Sequence, residues 1–134
     1  MSRSGYSDDG EDGWQLIMWR GAVASAIRGR RGQAFLKEML AALDAMPVKR
    51  LVADDLEKDG EVCAIGSVGK ARGTPMAGID PEDYGAIAKA FGISEALARE
   101  AMFVNDESWF AETTPEARFT RVRAWVAAQI KENA

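Results

Sequence analysis

Phe35, Leu36, Met39, Leu40 and Leu43 recur at the spacing of one helix face, and Pro47 follows shortly behind them. A 3.6-residue period brings these positions together as a two-row apolar stripe, so the run is an amphipathic helix that must be covered by other elements. Proline has no amide hydrogen and a fixed φ, and it stops the helix. No other stretch constrains the fold as tightly, because a helix with this stripe must bury it against another element.

The neighbouring sequence supplies them. A preceding helix begins near Trp14, with Leu16, Trp19, Val23 and Ile27 on its apolar face, and ends at Gly29. Arg30, Arg31 and Gly32 then read as a tight joint into the Phe35 helix, which suggests an antiparallel helical hairpin. In the C-terminal half, Asp80 is placed to cap a helix opened by Pro81, with Tyr84, Ile87, Ala88 and Phe91 inward and Gly92 at its end. Ser94 caps the next helix, which carries Leu97, Ala98, Ala101 and Val104. Thr114 caps the last, with Pro115 at its first position and Phe119, Val122, Val126 and Ile130 as its stripe beside Trp125.

Residues 48–73 leave two readings. Leu51, Val52 and Ala53 suit a short strand or an extended connector. Val62, Ile65 and Val68 recur every three residues, which favours a helix with Gly66, Ser67 and Gly69 as close-packing positions. A β-hairpin turning around Lys58 to Gly60 competes with it. The fold class that follows is mainly α, a compact bundle of five to six short helices with room for a small β-hairpin around residues 50–66. Residues 1–13, rich in Gly, Ser and Asp, read as a flexible N-terminal arm, and 14–134 as a single helical domain.

The 134 residues are 47% hydrophobic and include four Trp and five Phe, enough to bury a core without a disulfide or a metal. Cys63 is the only cysteine, which suits a reducing compartment. The first residues are acidic and polar, and the apolar runs are too short to span a bilayer. The expectation is a cytoplasmic protein with no membrane partner. With 17 basic and 21 acidic residues, the net charge of -4 argues against indiscriminate nucleic-acid binding.

There is no histidine. That removes Ser-His-Asp and Cys-His nucleophile arrangements and histidine-containing zinc sites, and one cysteine cannot build a thiolate site. Gly66-Ser67-Val68-Gly69-Lys70-Ala71 resembles the end of a phosphate-binding loop, but Ala64 stands where its first glycine belongs and Ala71 where it needs Ser or Thr. Asp55-Leu56-Glu57-Lys58-Asp59-Gly60 resembles the front of an EF-hand loop, but its twelfth position, which needs a bidentate Glu, is Gly66. The expectation is a non-enzymatic protein with no metal and no cofactor.

Three features remain as binding candidates. Arg28, Arg30 and Arg31 crowd a helix junction, where guanidinium groups clamp carboxylates or phosphates and where a cation at a helix C-terminus also offsets the dipole. Trp109 and Phe110 are adjacent aromatics in an acidic loop of about nine residues starting at Asn105, a composition suited to anchoring a protein. Tyr84 to Val104 has the pattern of a helix-turn-helix, with Ser94 and Arg99 on the would-be recognition helix. Glu95 and Glu100 beside Arg99 make it a poor reader of DNA.

Three stretches carry a resemblance: Trp19-Arg20-Gly21 through Arg31-Gly32, Gly60 through Gly66, and Asn105-Asp106 with Thr114-Pro115-Glu116. Over nearly the whole chain they resemble a group of small proteins without an assigned chemistry that bacteriophages and prophages encode. The resemblance implies a phage accessory protein that binds a host or phage protein, as inhibitors of bacterial defence such as CRISPR systems do. The alternative expectation is a small helix-turn-helix regulator of phage transcription.

Overall fold

The computed structural model describes residues 13–106 and 114–131, with side chains from Ile17 onward. Six helices and one two-stranded antiparallel sheet make up these residues: α1 (Gly13–Arg28), α2 (Arg30–Ala45), β1 (Glu57–Lys58), β2 (Glu61–Val62), α3 (Ala64–Arg72), α4 (Tyr84–Phe91), α5 (Glu95–Asp106) and α6 (Pro115–Gln129). The chain is a helical bundle with a small hairpin. The expected arm lies outside the described residues, as do Trp109, Phe110 and the side chains of Trp14 and Leu16.

Two helices act as hubs. α2 packs against α1, α3 and α6, while α5 packs against α1, α3, α4 and α6. The stripe of α2 is buried as its spacing requires, with Leu36, Met39 and Leu43 fully enclosed and Leu40 half-buried. Ile65 and Val68 of α3, Ile87 of α4, Leu97 and Met102 of α5, and Val122 and Val126 of α6 complete one continuous core. Burying side chains of this size contributes about 1.5–3 kcal/mol each.

The ambiguous segment contains both of its candidate structures in series. Asp59 and Gly60 take φ of 53° and 83°, the left-handed pair that a type I′ turn demands, and they join β1 to β2 in the register Glu57 to Val62 and Lys58 to Glu61. Val62 therefore belongs to a strand, and the three-residue repeat that joined it to Ile65 and Val68 was not one helix. α3 starts only at Ala64, with the Cys63 sulfur accepting the Gly66 amide at 3.3 Å. The connector at Leu51 and Val52 is extended, and the Val52 amide donates to the Val62 carbonyl at 3.0 Å.

Helix ends follow local chemistry with one displacement. Ser94 accepts from the Leu97 amide at 3.1 Å, and Thr114 accepts from Ala117 at 3.0 Å with Pro115 in the first turn. Gly92 ends α4 at a φ of 73°. The cap of α4, however, is Asp83, accepting from Ala86 at 3.0 Å, and not Asp80. Asp80 instead accepts from the Glu82 amide at 2.9 Å and closes a turn before the helix. α4 begins at Tyr84, so Asp83, the residue just before it, is the one placed to cap.

Asn105 and Asp106 also fall differently from expectation. They form the last turn of α5 rather than the start of a loop, and Asn105 is fully buried. Its amide group donates to the Val52 carbonyl and accepts from the Ala64 amide, both at 2.9 Å. Its carbonyl accepts from Arg118 at 3.1 Å, and Arg118 also donates to Leu51 at 3.3 Å. The connector, α3, α5 and α6 are joined at this one residue.

Candidate functional site

Gly29 alone separates α1 from α2. Its extended backbone, φ -66° and ψ 160°, turns the chain, and its carbonyl accepts from the Gln33 amide at 2.9 Å. Gly32 has no space for a side chain, because a Cβ there would run into the Ala26 carbonyl. Gln33 is buried and fixes the junction from beneath. Its amide group donates to the carbonyls of Ile27 at 2.7 Å and Gln129 at 3.0 Å, and accepts from Lys131 at 2.8 Å. The junction that the sequence reading treated as a joint at Arg30 to Gly32 is thus a single residue held by α1, α2 and the end of α6.

Arg28, Arg30 and Arg31 are all exposed on this frame. Arg28 is in the last turn of α1, where the helix dipole favours a cation, and it reaches Ser25 at 3.4 Å. Arg30 and Arg31 are the first two residues of α2, at the positive end of its dipole. The first turn of α2 contains no acidic residue, and neither arginine has a hydrogen-bond or ion-pair partner among the described residues. Two exposed cations there cost about 0.3–1 kcal/mol each.

Several other arginines are engaged within the fold. Arg72 grips Glu38 through two guanidinium nitrogens at 2.7 and 2.6 Å, donates from the third to the Phe91 carbonyl at 3.2 Å, and faces the rings of Phe35 and Phe91. Arg123 pairs with Asp44, Arg50 with Glu61, and Arg121 donates to the Val104 carbonyl. Arg72 and Arg123 hold Glu38 and Asp44 below the usual carboxylate range by hydrogen bonding.

α4 and α5 are consecutive helices joined by the turn at Gly92 to Ser94 and packed against each other. Their two candidate nucleic-acid contacts have other positions. Ser94 uses its hydroxyl as the α5 cap. Arg99 lies between the ring of Trp19 at 4.6 Å and that of Tyr84 at 5.1 Å, with Glu95 at 3.4 Å, and joins α1 to the α4–α5 pair. The third candidate pair, Trp109 and Phe110, lies outside the described residues.

The remaining motifs are absorbed by packing. Gly66 and Gly69 sit in α3, where a Cβ at the first would meet the Leu56 carbonyl and at the second the Met76 sulfur. Cys63 is fully buried, and burial pushes its thiol up to about 12. An open cleft of 410 Å³ lies between the hairpin and the following loop, lined by Asp55, Leu56, Glu57, Met76, Ile79 and Asp80 among others. Its lining is carboxylate and aliphatic. Among the described residues no group of three or more His, Cys, Asp or Glu could hold a metal ion, and no helix is long and apolar enough to cross a membrane.

Sequence reasoning passed over Ile17 and Met18, which are 63% and 59% exposed on α1. The available signal was their position, since both fall outside the stripe that runs through Trp19, Val23 and Ile27. No family model, curated protein or solved structure matches the chain.

Proposed function

We propose that the protein is a non-enzymatic binding protein whose contact with a host or phage protein centres on the junction of α1 and α2. The observation that carries this reading is the position of Arg30 and Arg31. They oppose the α2 dipole, have no partner among the described residues, and stand on a junction locked by Gln33. Guanidinium groups left exposed on a rigid support are suited to bidentate capture of carboxylates, and little backbone ordering is needed on binding. The phage setting, and with it interference with a bacterial defence system in the host cytoplasm, rests on the resemblance of the three stretches named above.

The helix-turn-helix regulator ranks behind it. The α4–α5 geometry suits that reading, but Arg99 is occupied by two rings and Ser94 by an amide.

Capture from bacterial lysate with the tagged chain tests the proposal, with an Arg28→Ala, Arg30→Ala, Arg31→Ala triple variant as the comparison. The expected result is a discrete protein retained by the parent and lost by the variant, with the variant no less stable than the parent, since two of the three arginines oppose a helix dipole. Duplex DNA bound equally by both, at about 0.15 M salt where the Debye length is about 8 Å, would overturn it.

A further inference from the structure

We infer that the outer face of α1, from Ile17 to Arg28, docks an acidic amphipathic helix of the partner protein. This inference rests on the protein-binding reading and adds to it the surface and the chemistry of the occupant. The inner side of α1 is accounted for, since Val23 is buried and Ala26 and Ile27 pack against the core. Its outer side carries a second stripe, with Ile17 and Met18 at one end, Gly21, Ala22 and Ser25 in the middle, and Arg28 at the other end, all exposed. At about 1.5 Å per residue the stripe is roughly 16 Å long, three turns of helix.

Gly21 gives the stripe its meaning. Glycine is the least favourable residue in a helix interior after proline. Gly85, the one other helical glycine among the described residues with room for a Cβ, lies in the first turn of α4 and not in a helix interior. Gly32, Gly66 and Gly69 have no room for a Cβ, while Gly60, Gly73 and Gly92 take a positive φ. A Cβ at Gly21 would meet nothing within 4 Å, and its φ is not in the left-handed region. Together with Ala22 and Ser25 it leaves a trough in which the axis of a second helix can come close.

Charge selects the occupant. No acidic residue lies in α1, and neither Arg20 nor Arg28 is paired with a carboxylate among the described residues. Arg30 and Arg31 extend the same positive end. A partner helix with large apolar side chains toward one end and Asp or Glu in its first turns satisfies both halves of the face. Acidic residues favour a helix N-terminus, which sets the partner antiparallel to α1. A nucleic acid would have no use for Ile17, Met18 and the uncharged trough.

The test titrates the full chain into a fluorescein-labelled helical probe peptide about five turns long. The probe carries Glu in its first two turns and adjacent Leu residues near its end, on an Ala and Gln background. Anisotropy should show saturable binding. Affinity should fall at least about tenfold, equal to about 1.4 kcal/mol, when the Glu residues are replaced by Lys, and equally for Met18→Glu and Gly21→Gln in the protein. Gly21→Gln should melt no lower than the parent, because glutamine is the better helix residue, so its loss of binding reports contact and not unfolding. Absence of saturable binding, equal binding of the Lys probe, or full affinity in Gly21→Gln overturns the inference. So does a concentration-dependent dimer abolished by Gly21→Gln, which would assign the face to a second copy. If the lysate partner is lost in the triple arginine variant but kept by Gly21→Gln, the docking face falls while the protein-binding reading stands.

Discussion

At Asn105 the side-chain oxygen takes the buried Ala64 amide, and the nitrogen gives its hydrogens to Val52 and to Asp106. Asp106 in turn accepts the amide of Asp54, which is held at a φ of 70°. Asn105→Ala leaves these groups without partners in a region closed to water, and an unmade buried hydrogen bond costs about 1–3 kcal/mol. A loss of about 2–4 kcal/mol in urea unfolding is expected. Two glycines predict opposite signs under the same substitution. Gly66→Ala drives a methyl into the Leu56 carbonyl and should cost about 1–3 kcal/mol, whereas Gly21→Ala enters open space and should gain about 0.5–1 kcal/mol. Matched melting curves check both. Cys63 adds a pH effect. Its thiol is raised from 9.0 to about 12, so above about pH 9 the unfolded chain ionises while the native one stays protonated. Stability should therefore fall as pH rises through that window, less so in Cys63→Ala, and thiol reagents should label the native protein only as fast as it opens.

Between elements, the ion pairs act at lower pH. Arg72–Glu38 ties α2 to α3, and Arg123–Asp44 ties α2 to α6. Both carboxyl groups are depressed from ordinary values of 4.5 and 3.8, so their stabilisation is present above those values and lost as pH falls through the depressed ones. Solvent screens both pairs; the partly buried Arg72–Glu38 pair is worth about 0.2–1 kcal/mol, and the fully exposed Arg123–Asp44 pair less. The expected outcome is a modest fall in melting temperature as pH drops below about 4.5, reduced in Glu38→Gln and Asp44→Asn. The helices also differ in how firmly they are held. α2 has seven buried residues, whereas Val23 is the one buried hydrophobic among the described side chains of α1. Amide exchange should show α1 opening at lower free energy than α2 and α3. Equal protection along α1 and α2 would contradict this.

Across the whole molecule, one hydrophobic cluster runs from Phe35 to Val126, so a single cooperative transition should be seen by circular dichroism and tryptophan fluorescence together. Cations are distributed unevenly over the fold. Arg50, Arg72 and Arg123 pair with acidic residues, while Arg20, Arg30 and Arg31 on α1 and the start of α2 have no partner among the described residues. The sequence by itself determined the helical class, the stripe of α2, the caps Ser94 and Thr114, and the stop at Gly92. Each of these depends on residues a few positions apart, where period and capping chemistry act locally. It also contained both parts of residues 57–72, but short segments have too few repeats of either period to separate a strand from a helix. Only the tertiary structure decided that Asn105 is a buried hub, that Arg99 is enclosed by Trp19 and Tyr84, and that Arg20, Arg30 and Arg31 are left without a partner among the described residues. Those outcomes depend on which distant groups meet. A guanidinium is free for a partner only when no ring, carbonyl or carboxylate from another element reaches it first.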